Sequence, residues 1–264
     1  MAERVALAVA AHPDDIEFAM AGTLVCLGER GWQLHYMNVA NGSCGSVVED
    51  PQVIAARRAN EAREAASVLG ATWHPPLCND LEIAYCNEQI GRLCSLIRRI
   101  RPGIILTHSP QDYMEDHTIT CRIVVTAAFC RGIRNYPVHP EMRPITDDVT
   151  VYHAMPHGLR GPLRQRITAG QHVDTTAVLD TKRRALCCHH SQREWLDASQ
   201  GIGNYITSME EFSREMGLQC GAFEHAEGWR RHAHLGFSSE DDDPLLRALG
   251  RDCRINDEYE RMLG

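Results

Sequence analysis

Residues 5–11, Val-Ala-Leu-Ala-Val-Ala-Ala, run without a polar side chain into His12-Pro13-Asp14-Asp15. A short, continuously apolar run near the start of a chain predicts a strand buried on both faces of a parallel sheet. Pro13 has no amide hydrogen and cannot extend a central ladder, so the strand should stop at about His12. One imidazole and two carboxylates then sit at the carboxyl end of a buried strand. In open α/β sheets that end is where ligands bind.

The segments that follow alternate. Residues 21–30 have helical content and stop at Gly31, and residues 33–39 predict a second strand. Residues 51–69 are Ala-rich, begin at a proline and end before Gly70, which predicts a helix. A short strand is expected over 72–77. Ile90, Leu93, Cys94, Ile97 and Ile100 make a helical stripe, Pro102-Gly103 breaks it, and residues 104–107 predict another buried strand. Such alternation predicts an α/β fold with a doubly wound, mostly parallel sheet and helices on both faces. Further on, residues 118–129 predict a helix, 149–153 and 171–174 strands, 177–190 a helix, and 223–229 a return to the sheet. Residues 238–244 are acidic and expected in solvent, and the last twenty residues predict a peripheral helix. No internal repeat or long linker divides the chain, so a single domain over 1–264 is expected.

Composition narrows the class. Apolar residues make up 44%, enough for a sizeable core in 264 residues. The formal net charge of −8, from 27 basic and 35 acidic residues, disfavours a nucleic-acid partner, which needs a basic footprint. No apolar run reaches the length of a membrane span. The 11 cysteines are odd in number, include no CxxC pair and follow no signal peptide, which predicts free thiols and a cytoplasmic setting.

The chemistry concentrates in two clusters. His12 and Asp15 flank the proline turn, and His117 follows the strand at 104–107 in the run Asp112-Tyr113-Met114-Glu115-Asp116-His117. Two imidazoles and one carboxylate suit zinc and leave its fourth position open, the mark of a catalytic site. Asp14 would then be free to act as general base on the attacking water. The alternative is that Asp14 or Asp15, and Asp116, simply cap helices. The loop Asn41-Gly42-Ser43-Cys44-Gly45-Ser46 is no P-loop; it is either a plain turn or a wall of backbone amides around a pocket. Gly201-Ile202-Gly203 is too short for a nucleotide fingerprint. His232-x-His234 is expected at the surface, and His35 and His74 as structural histidines. Trp229 is expected in the aromatic core.

Ala11-His12-Pro13-Asp14-Asp15 with Gly22-Thr23-Leu24 resembles the signature of the PIG-L / LmbE-like zinc N-deacetylases. Arg58-x-x-Glu61, Asp116-His117, Lys182 with Ala185-Leu186 and His189-x-Ser191-Gln192, and Ala226-Glu227-Gly228-Trp229 resemble its later motifs in the same order. The resemblance implies a Rossmann-like fold with the metal at the carboxyl ends of the strands. It implies His12, Asp15 and His117 on Zn2+, with Fe2+ as the other metal to consider, Asp14 as base, and Arg58 at the substrate pocket. It implies hydrolysis of an N-acetyl or related amide on an amino sugar or small glycoconjugate, and it leaves a homo-oligomer open. Ser43, Tyr113 and His189 are the further substrate-binding candidates.

One position departs from the family pattern. The second motif usually carries a histidine three residues before the last one, and here that position is Met114. A thioether cannot donate a proton. His153, His157, His189 and Tyr113 are candidates to replace it, with His153 and His157 favoured as catalytic because they follow a predicted strand. The rival expectations are a thiol-conjugate amidase of the same fold and a metal-binding protein without turnover.

Overall fold

The computed structural model describes residues 4–200 and 205–264. In chain order the elements are β1 (Val5–Ala10), α1 (Asp15–Ala19), α2 (Ala21–Gly28), β2 (Gln33–Asn38), α3 (Pro51–Val68), β3 (Ala71–His74), α4 (Asn87–Ile100) and β4 (Ile104–Thr107). They continue with α5 (Glu115–Phe129), β5 (Thr150–Ala154), β6 (Gln171–Asp174), α6 (Leu179–Leu186), α7 (His190–Gln200) and α8 (Tyr205–Cys220). The last are β7 (Ala226–Arg231), α9 (Pro244–Leu249), β8 (Cys253–Ile255) and α10 (Asp257–Leu263).

The strands form one sheet in the order β3-β2-β1-β4-β5-β7-β6-β8. The first five are parallel and the last three pair antiparallel. The expected mostly parallel α/β sheet is therefore present. Because β1 is flanked by β2 on one side and β4 on the other, the order reverses at β1 and opens a crevice above the carboxyl ends of β1 and β4.

The apolar run of β1 fills both faces. Ala6, Ala8 and Ala10 join Ile16, Met20, Leu24 and Leu27 of α1 and α2, together with α3 residues, on one side. Leu7 and Val9 join Ile90, Leu93 and Ile97 of α4 and Ile123 and Val124 of α5 on the other. Side chains alternate across a strand, so each face of the same strand meets its own layer of helices.

Distant motifs meet as structural ties. Glu227 on β7 accepts the amides of Gly22 and Thr23 at the start of α2, at 2.8 and 2.7 Å. Lys182, the sole lysine, is fully buried and donates to the same carboxylate at 2.6 Å. Glu61 on α3 accepts both the amide and the hydroxyl of Ser191. Trp229 is buried and donates to Thr23, in keeping with its expected core role.

Several expectations need correction. Helix α5 begins at Glu115 and not at 118, because Glu115 and Asp116 favour the positive end of the helix dipole. Asp116 and His117 therefore lie in its first turn. The helix expected over 177–190 is divided between α6 and the start of α7, and α8 and β8 had no counterpart in the sequence expectations. Asp243, in the acidic stretch, is buried. It caps α9 by accepting Leu246 N–H at 3.0 Å and accepts Tyr152 OH at 2.7 Å. The Gly201-Ile202-Gly203 stretch lies outside the described residues.

Candidate metal and active site

The turn after β1 is built around Asp15. Its Oδ2 accepts the His12 amide at 2.7 Å, closing the proline turn. Asn38, at the end of β2, donates to the His12 carbonyl at 2.6 Å and fixes the turn to the neighbouring strand. His12 Nδ1 then lies 3.4 Å from Asp15 Oδ2, and His117 Nε2 lies 3.4 Å from Asp15 Oδ1. One donor atom from each of His12, Asp15 and His117 falls within 4.8 Å of the others.

Each imidazole is held from behind by a second carboxylate. His12 Nε2 is 3.0 Å from Asp116 Oδ2, and His117 Nδ1 is 3.1 Å from Asp112 Oδ1. A carboxylate on the far nitrogen fixes the tautomer and leaves the near nitrogen as a ligand. Asp116 is itself anchored by the Leu81 amide at 3.1 Å.

The electrostatics favour a cation here. Burial lowers the proton affinity of His12, but Asp116 and Asp15 overcome it and raise its pKa to about 9. His117 is likewise depressed by burial and raised by Asp15 and Asp112 to about 10. Burial would raise Asp15, yet His117 and His108 hold it well below the usual carboxylate range. A field that binds protons this firmly also suits a divalent ion on the same donors. The donor set of two imidazoles and one carboxylate fits such an ion. His108, Asp112 and His117 form a second cluster that shares His117. This cluster is wholly buried, and His108 Nε2 already accepts the Ala11 amide at 2.9 Å.

Asp14 is not a helix cap. It precedes α1 at φ 118°, in the region that favours glycine, and its side chain makes no capping bond. Its Oδ1 faces Arg58 at 3.9 Å and its Oδ2 accepts Tyr205 OH at 2.5 Å. Burial pushes its pKa up to about 6, against the pull of Arg58, while Asp15 adds to the rise. A buried carboxylate of raised proton affinity beside a metal-ligand set is well placed to take a proton from water.

Arg58 reaches the turn from α3, donating to the Pro13 carbonyl at 2.6 Å. The 41–46 loop lies over it. A Cβ at Gly42 would meet Arg58 Cδ at 2.4 Å, and one at Gly45 would meet Arg58 Nη1 at 2.6 Å. Asp80 pins this loop by accepting the amides of Gly42 and Cys44. The loop is therefore a cover for the guanidinium, with Ser43 tied down by receiving the Asp80 amide at 3.2 Å.

The other sequence candidates divide. Tyr113 is exposed, with its ring edge-on to His117 at 5.8 Å. His157 stands on the same rim, edge-on to Tyr113 at 6.4 Å and to Phe18 at 5.3 Å. His189 is buried against Glu17 at 3.4 Å and offers no surface to a substrate. His153 is corrected as a donor. It is buried, its Nδ1 is 2.9 Å from the His108 carbonyl, and its Nε2 is 3.0 Å from His232 Nδ1. The carbonyl must receive a proton, so His153 spends its one N–H there, and burial holds its pKa down at about 3. His232 is accordingly no plain surface residue. His35 and His74 pair with each other at 2.8 Å.

Sequence reasoning missed Asp112 and His108, which lie beside residues it did select, and Tyr205; it named Asp116 only as a motif position or a helix cap. His108 directly follows β4, so the rule that pointed to His12 could have found it.

The crevice at the reversal of the sheet thus brings together three side chains that could hold a metal ion and, beside them, a separate buried carboxylate. Residues 7–128 match the family model described as PIG-L, GlcNAc-PI de-N-acetylase. The chain is 27% identical over 195 residues to a diacetylchitobiose deacetylase of Thermococcus kodakarensis, covering 70% of this chain and 69% of that one. It is 26% identical over 238 residues to a 4-oxalmesaconate hydratase of Pseudomonas putida, covering 82% and 89%. The fold matches that of the N,N'-diacetylchitobiose deacetylase of Pyrococcus horikoshii with a TM-score of 0.72 at 21% identity, over 88% of this chain and 85% of that one.

Proposed function

We propose that this protein is a zinc-dependent amide hydrolase that removes an acetyl or related acyl group from the nitrogen of an amino sugar or small glycoconjugate. The observation that carries this is Asp14, a buried carboxylate of raised proton affinity set beside the His12, Asp15 and His117 donors. The family match and the deacetylase relative support the same chemistry.

In this reading His12, Asp15 and His117 hold the ion, with Asp116 and Asp112 orienting the two rings. When bound, the ion supplies Lewis acidity for the acyl carbonyl and acidity for water. Asp14 takes the proton of the attacking water. Arg58 keeps Asp14 in place and adds positive charge beside it. Tyr113 and His157 on the rim would meet the sugar. We further infer that the chain works as one unit, its strands joined in one eight-stranded sheet, and that its 11 free cysteines suit a reducing compartment. No helix among the described residues is long and apolar enough to cross a membrane.

The test is acetate release from N-acetylglucosamine, its methyl glycosides and N,N'-diacetylchitobiose by the zinc-loaded protein. Turnover should fall by on the order of 10²–10⁴-fold in Asp14→Asn, which removes the base. Zinc-loaded protein inert towards the whole panel would contradict the proposal.

A second reading is water addition to an unsaturated carboxylic acid. Arg230 favours it. Its guanidinium bonds Ser109 Oγ and Gln111 Oε1 in the loop leading to His117 and has no carboxylate partner among the described residues. A substrate carboxylate would supply one. The hydratase relative points the same way. Loss of ultraviolet absorbance from 4-oxalmesaconate, with no acetate released from the sugar panel, would decide for it.

A further inference from the structure

Amide hydrolysis moves one proton from water to the departing nitrogen, and position 114, where a donor would be expected, holds a thioether. His153 has committed its N–H to a carbonyl, and His189 is sealed against Glu17. One hydroxyl touches the group that receives the water proton. Tyr205, at the start of α8, donates to Asp14 Oδ2 at 2.5 Å. Its ring is stacked on Phe18 at 5.8 Å and 27°, within a wall that includes Phe212 and His157.

We propose that Tyr205 is the catalytic proton donor to the leaving nitrogen, replacing the imidazole absent at position 114. This rests on the amide-hydrolase reading. As water adds to the acyl carbon, Asp14 gains its proton. When the C–N bond breaks, its electron pair stays on nitrogen. The phenol O–H breaks and an N–H forms, while the Asp14 proton passes to the phenol oxygen. Asp14 ends as carboxylate and Tyr205 as phenol, so both are ready for a second turnover and no outside reagent is consumed. Burial and the neighbouring Asp14 keep the phenol protonated well above its ordinary range, which suits a donor that is immediately refilled.

The test compares Tyr205→Phe with wild type, both zinc-loaded, on an amide and on an ester. The amide is whichever N-acetylglucosaminide wild type cleaves best. The ester is 4-nitrophenyl acetate, whose leaving group departs without a proton. The expected result is an amide kcat reduced by on the order of 100-fold with the ester kcat nearly unchanged. Metal content and thermal midpoint should match wild type. Equal losses on both substrates would make Tyr205 a positioning group for Asp14 and overturn the proposal, as would an unchanged amide kcat. Should the variant be unstable, 3-fluorotyrosine at 205 keeps the ring. It should change amide turnover and leave ester turnover alone; an equal effect on both, or none on the amide, would overturn the proposal. Wild type inert to every amide would reject the hydrolase reading itself, an outcome distinct from active wild type matched by its variant.

Discussion

Asp112 and Asp116 each face a histidine from the side away from Asp15. They raise the basicity of the rings and hold their planes, so their effect is on the metal. Asp116→Asn should weaken zinc binding by about 10–100-fold with little change in fold, measured by competition with a chromophoric chelator. Unchanged affinity would mean that the Asp116 contact does not orient His12. At this scale the sequence was informative where chemistry is local. His12, Asp14 and Asp15 share one turn, and their types and spacing suffice to nominate them. The roles of Asp112 and Asp116 depend on ring orientation, which spacing does not encode. Tyr205 lies 191 residues from Asp14 and nothing in its own neighbourhood announces the contact.

Among the elements, the 41–46 loop shows how backbone freedom serves the site. Gly42 has φ +76° and passes so close to Arg58 that a Cβ has no room. Gly42→Ala should destabilise the protein by about 1–2 kcal/mol and displace Arg58 from Asp14. Thermal denaturation together with a raised KM or lowered kcat would register this; wild-type stability and kinetics would contradict it. The loop's glycines were visible in the sequence as either a turn or a pocket wall, and only the guanidinium beneath them explains both. Helix α8 was illegible for a different reason. Its inward residues are Met209, Phe212, Ser213, Met216 and Gly217, at helical spacing, but two of the five are Ser and Gly. The apolar stripe is thus too thin to stand out. By contrast α4 carries the full stripe and ends at Ile100, just before Pro102-Gly103, where the sequence placed the break.

Across the whole molecule, the sheet buries histidines that are not among the metal donors. His172 and His74 are both held near pKa 4 by burial, His74 with the added repulsion of His35. In the unfolded chain these groups protonate near pH 6.5. Between about pH 6.5 and 4 the unfolded state therefore binds protons that the folded state refuses, so folding stability must fall as pH drops through that window. Denaturant unfolding of chelator-treated protein at pH 7 and pH 4.5 should show this decline; equal stability would contradict the neutral, buried assignment. The architecture itself was the most legible level, because strand and helix periods alternate cleanly up to β4. Beyond β5 the strands pair antiparallel, and sequence pattern alone no longer fixes their order.

The central claim is that the turns after β1 and β4 grip one ion together. The most direct measurement is the zinc content of purified wild type and His117→Ala after equilibration with zinc and removal of the excess. About one ion per wild-type chain, lost in the variant while the circular dichroism is retained, is the result expected of a joint site. Wild type that takes up no zinc, or a variant that holds it as tightly as wild type, would contradict it.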